Sequence, residues 1–85
     1  MGSVIVTFRV MPEGVETDLD AIQKAIIKEI SPQRMQIIPI AFGINAIQVI
    51  KLVEDKEGEL DKVTDKIKKI KGVQEVEVVD LTLSL

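Results

Sequence analysis

The 85-residue chain contains no cysteine and no histidine. Disulfides, thiolate nucleophiles, zinc sites and imidazole acid–base catalysis are therefore excluded. Tryptophan and tyrosine are also absent, and Phe8 and Phe42 are the only aromatic residues. A base-stacking platform for single-stranded nucleic acid needs more rings than two. The net charge of −3 gives no footprint for a phosphate backbone. No apolar run approaches the ~20 residues of a membrane span. The opening Met1-Gly2-Ser3-Val4-Ile5-Val6 lacks the charged start of a signal peptide. Val6 stands where a myristoylation signal has Ser or Thr. The expectation is a cytoplasmic protein with no cofactor, no metal, no membrane and no direct nucleic-acid contact.

What is present is a globular balance, 46% hydrophobic and 29% charged. That is far from the composition of disorder. The length allows one domain, residues 1–85.

Val4, Val6, Phe8 and Val10 alternate with Ile5, Thr7 and Arg9. Period two with β-branched residues predicts a half-buried strand, ended by Met11-Pro12-Glu13-Gly14. Thr17-Asp18-Leu19-Asp20 opens a helix, with Thr17 as cap and both aspartates at the positive end of the dipole. Leu19, Ile22, Ile26, Ile27 and Ile30 form its apolar stripe, and Ser31-Pro32 stops it. Met35–Ile40 predicts a short strand. Ala41-Phe42-Gly43 predicts a hairpin connection in which Gly43 is free to take positive φ. Ile44–Val53 predicts a long strand, apolar on both parities and hence central or covered.

After a polar turn at 54–58, Leu60, Val63, Ile67 and Ile70 mark a second helix, with Gly72 at its end. Val73–Leu85 is the last strand. Its alternation changes phase, which predicts a bulge near Asp80. The order β-α-β-β-α-β is the ferredoxin-like plan, an α+β sandwich with two helices on one face of a four-stranded antiparallel sheet, order 4-1-3-2. The Ala41–Gly43 tip and the C-terminus then lie at opposite ends of the sheet.

At Pro39-Ile40-Ala41-Phe42-Gly43-Ile44, with Ile47-Gln48-Val49 and Val53-Glu54-Asp55-Lys56, the chain resembles the elongation factor 1-beta family. These proteins are the guanine-nucleotide exchange subunits of the elongation factor that carries aminoacyl-tRNA. Ser3-Val4-Ile5-Val6-Thr7 and Val10-Met11-Pro12 resemble the family's first strand, and the short chain resembles the archaeal form. The resemblance implies binding to GDP-bound elongation factor 1-alpha and faster GDP release, with no catalytic residue and no cofactor. It places Phe42, flanked by Ala41 and Gly43, against the GTPase's second domain. It places the chain end, Ser84 and Leu85, near the nucleotide domain. Eukaryotic relatives carry a lysine next to last; this chain has Ser84 there, and no Lys or Arg follows Lys71. That lysine's role does not carry over.

Plainer readings stand beside these. Phe42 is an exposed anchor or a core ring, and Gly43 serves the turn in either case. The acidic run Glu54, Asp55, Glu57, Glu59 and Asp61 lacks calcium-loop spacing and reads as a solvated turn. Lys66, Lys68, Lys69 and Lys71 read as a solvated helix face. Leu81, Leu83 and Leu85 complete the core, pair with another subunit or meet the partner. The fold alone hosts many functions. The main rival is a small-molecule-sensing regulatory domain, which predicts a concave polar pocket. An acylphosphatase-type enzyme would need an Arg in the 11–16 loop, which has none. An RNA-binding sheet would need more central aromatics than Phe8.

Overall fold

The computed structural model describes residues 2–84. Strand β1 (Ser3–Pro12) alternates in burial as in hydropathy. Val4, Val6, Phe8 and Val10 face the core, and Phe8 is fully buried. Helix α1 (Leu19–Ile30) supplies Ile22, Ile26 and Ile30 to the same core.

Two expectations for α1 need correction. The cap is Asp18, not Thr17: the Asp18 carboxylate accepts from the Ala21 N–H at 3.2 Å. The Thr17 hydroxyl instead accepts from the Gly14 N–H at 3.0 Å, closing the preceding turn, so the helix begins one residue later. Ile27 does not join the buried stripe; it is 53% exposed. Ile22, Ile26 and Ile30 fall four apart on one face, while Ile27 sits about 100° round from Ile26. The helix ends at Ser31, in the left-handed region with φ 48°. Pro32 disfavours the α region for the residue before it.

Strands β2 (Arg34–Ala41) and β3 (Ile44–Glu54) form a hairpin, followed by helix α2 (Glu59–Lys68) and strand β4 (Val73–Ser84). Helix α2 stops earlier than Gly72. Lys69 is its cap, and the Ile70 N–H bonds Ile67 in a tighter turn. Ile70 still packs on the core. Gly72, at φ 96°, turns the chain into β4 beside Thr17 and Ile22, and a Cβ there would lie 3.1 Å from Thr17 Cγ2.

The sheet order is β2-β3-β1-β4, the expected ferredoxin-like arrangement, with every neighbour antiparallel. Strand β3 is central, as its two apolar parities require. Val4, Val6, Phe8 and Val10 share a face with Ile47, Val49, Val53 and Val76, and both helices supply residues to this one cluster. The opposite face carries Ile5, Thr7, Arg9, Gln48 and Leu52, each open in part to solvent. The phase change in β4 is a bulge: Thr7 pairs with Asp80 and Phe8 with Val78, leaving Val79 extra.

The molecule measures 42 Å along its longest axis. Ser3 pairs with Ser84 at one end, while Val10 pairs with Ile47 towards the other. The hairpin projects beyond that last pair. Tip and tail therefore lie at opposite ends, as the topology demands.

Candidate functional site

The hairpin tip is built by local rules. Strand β2 is an edge, where a residue such as Pro39, with no N–H to give, is tolerated, above all beside a bulge. Pro39 pairs with Asn45 and Ala41 with Ile44, leaving Ile40 as an extra residue in β2. This bulge adds twist before a turn centred on Phe42 and Gly43. Both turn residues have positive φ, 53° and 76°. That is the pattern of a type I′ turn, whose twist matches the flanking strands and which favours Asn-Gly.

Gly43 fits its place. Phe42 does not fit by backbone preference, because a bulky side chain in the left-handed region is an outlier that costs about 1–3 kcal/mol. Nor does burial offset the cost, since Phe42 is 98% exposed. The ring stands in solvent at the apex. Ala41 beside it is exposed, as are Ile37 and Ile40 on the strand leading to it. Phe42 is thus the exposed alternative of the two readings, and its contrast with the buried Phe8 is complete.

A second feature of the tip is readable in the chain. No charged residue lies between Arg34 and Lys51, in a protein that is 29% charged. The distal part of the hairpin, residues 35–50, is therefore free of charge.

The other predicted site residues are elsewhere. Ser84 closes β4 opposite Ser3, and Leu85 lies outside the described residues. The tail and the tip are brought together by nothing in the fold. Strand β4 carries Glu75, Glu77 and Asp80 and no cation. Arg9 of β1 forms an ion pair with Glu77. Leu81 and Leu83 pair with Val6 and Val4, so they point to the helix side, yet both are largely exposed.

Helices α1 and α2 leave a trough of about 860 Å³ between them. Ala21 and Ala25 line it, together with Asp18, Glu29, Lys66 and Lys69. The charged side chains at its walls are exposed, and no polar or charged residue among those described is buried. The trough therefore lacks the desolvated polar groups that fix a small ligand in place. Among the described residues no cluster of His, Cys, Asp and Glu is arranged to hold a metal.

The tip thus combines a charge-free hairpin end with a strained, solvent-facing ring. The EF-1 guanine nucleotide exchange domain matches residues 5–83. The chain belongs to the EF-1 guanine nucleotide exchange domain family. It is similar to elongation factor 1-beta of Methanosphaerula palustris, at 39% identity over 85 residues, covering 99% of this chain and 100% of that protein. It is similar to the protein of the same name from Archaeoglobus fulgidus, at 40% over 88 residues with 98% and 99% covered. The Thermoplasma acidophilum relative is 34% identical over 87 residues, again covering 98% and 99%. The exchange-domain match takes in the whole tip and reaches Leu83, stopping short of Ser84 and Leu85.

Proposed function

We propose that this chain, as a single domain over residues 1–85, is a guanine-nucleotide exchange factor. It binds GDP-bound elongation factor 1-alpha and promotes GDP release for GTP reloading during translation elongation. The observation that carries this reading is Phe42: a ring held at 98% exposure on a backbone conformation that disfavours it. Such a residue is retained when a partner buries it, because aromatic side chains seated in a pocket dominate interface energetics. Phe42, with Ala41 and Gly43, docks on the GTPase, and Ser84 and Leu85 approach the nucleotide-binding domain from the other end of the sheet.

Exchange of this kind is not enzymatic chemistry on the factor's own side chains. A GTPase holds its nucleotide through a phosphate loop and a magnesium ion. A domain that binds best to a form in which that site is disturbed lowers nucleotide affinity. By linkage, GDP weakens the factor's grip by the same ratio. Two contact regions at opposite ends of the sheet suit this mechanism, because one anchors while the other acts. The rigid sheet between them transmits position. No cofactor, membrane or direct nucleic-acid contact enters this scheme, which belongs in the cytoplasm with the translation machinery.

Release of a fluorescent GDP analogue from archaeal elongation factor 1-alpha tests the reading. Substoichiometric chain accelerates release if the proposal holds. An unchanged release rate, with folded chain and cognate GTPase, removes it and leaves the small-molecule-sensing domain as the alternative.

A further inference from the structure

We infer that Ile40 is a positioning residue: as the extra residue of β2 it aims the hairpin tip, and with it the Phe42 ring, at the partner. The inference rests on the exchange reading and says how the anchor is presented. Two fixed points lie on either side of Ile40. Before it, Met35 pairs with Val49, Ile37 with Ile47 and Pro39 with Asn45, and Met35 packs on the core. After it, Ala41 pairs with Ile44 and closes the two-residue turn of Phe42 and Gly43. From Pro39 to Ala41 strand β2 takes two steps, while from Asn45 to Ile44 strand β3 takes one. Without Ile40 the steps match. Every pair just named then keeps its partner and its face, and the turn keeps its two residues.

Neither the core register nor the turn therefore calls for this residue. Its side chain is 40% exposed and lies outside the core cluster. A bulge also gives up regular ladder pairing. What it adds is a bend and extra right-handed twist in the strand that carries it. Beyond Ile40, β2 has only Ala41 before the turn, so the bend falls on the tip. Phe42 is 98% exposed, so no neighbouring side chain fixes its direction. The ring points where its backbone points, and the bulge sets the course of that backbone. Guarding an edge against strand addition is the other use of a bulge. Pro39, one residue earlier, already serves that use.

Calorimetric titration against GDP-loaded archaeal elongation factor 1-alpha, with release of a fluorescent GDP analogue measured alongside, tests the inference. Deletion of Ile40 leaves Tm near that of wild type and weakens binding about tenfold or more. Ile40→Ala keeps the extra residue and recovers most of that loss. Phe42→Ala weakens binding of the full-length chain about thirtyfold. In the deletion background it costs less than about threefold, because the ring is already misdirected. A threonine inserted between Ile44 and Asn45 removes the bulge by a second route. It gives Ile40 a partner, turns the tip to the other face of the sheet, and weakens binding at least as much as the deletion. A folded wild-type chain that neither binds nor accelerates release removes the exchange reading, and this inference with it. Where wild type does both, the inference alone falls if the deletion or the insertion binds as wild type does. It falls if Ile40→Ala binds as weakly as the deletion, since the side chain and not the bulge then makes the contact. It falls if the losses from the deletion and Phe42→Ala multiply, since Ile40 then acts independently of the ring. A large drop in Tm on deletion overturns it as well, because Ile40 would then be holding the fold.

Discussion

The two ends of the sheet are built from opposite kinds of information. The tip depends on neighbours in sequence: Pro39, the extra Ile40, and two consecutive residues at positive φ. The tail depends on residues far away in the chain, since Ser84 is positioned by Ser3. The tip is neutral and strained, with its aromatic ring in solvent. The tail is acidic along β4, relaxed into a ladder, and uncharged only in its last residues, 81–84. A locally determined, strained apex holds one side chain in one direction with little need of the core. A ladder end takes its position from the whole sheet and shares its stability. Disturbing the tip should therefore change binding alone, whereas disturbing the tail should change folding as well.

The core sets the scale for testing that contrast. Phe8→Ala removes the largest fully buried side chain and is expected to lower unfolding free energy by about 3–5 kcal/mol, measured by urea denaturation. Phe42→Ala makes the same chemical change at the tip. It should leave Tm unchanged and weaken binding to elongation factor 1-alpha by about 2 kcal/mol, read by calorimetric titration. A clear fall in Tm for Phe42→Ala would mean that the tip is tied to the core, and the separation of the two ends would collapse.

The tail is expected to respond in between. Removing Leu83–Leu85 takes away the Val4↔Leu83 and Ser3↔Ser84 pairs and uncovers Val4, which is buried. A loss of about 1 kcal/mol in stability follows, together with slower exchange. Full retention of both would detach the tail from the proposed function.

Most of the architecture is legible in the sequence because long-range and local signals agree. The alternation of Val4 to Val10, the Ile22/Ile26/Ile30 spacing and the doubly apolar β3 all stand where periodicity places them. The phase slip in β4 is visible because a single extra residue, Val79, inverts every later side chain. Several features escape for identifiable reasons. Thr17 and Asp18 are both good caps, and the Gly14 turn upstream makes the choice. Ile27 lies next to the apolar stripe, where residue type alone does not distinguish it from a residue on the stripe. The exposure of Leu81 and Leu83 depends on how far the helix layer reaches over β4, which no local pattern records. At the tip, Gly43 announces a turn residue with positive φ, but Phe42 does not. Phenylalanine is a poor left-handed residue, so sequence preference argues against the conformation it adopts.

That mismatch supplies the finest test of the two-ended picture. Phe42→Asn puts into the turn the residue that a type I′ hairpin favours. It relieves strain at a position where the side chain has no burial to lose. Stability should rise by about 0.5–1 kcal/mol, a small upward shift in Tm, while affinity for the GTPase falls as it does for Phe42→Ala. A variant that is more stable and a poorer binder shows that the native ring is kept against the preference of its own backbone. If Phe42→Asn were instead less stable, the ring would be contributing to the fold through contacts along β2. The tip would then be a structural element that happens to be exposed, and the case for Phe42 as the docking residue would lose its physical basis.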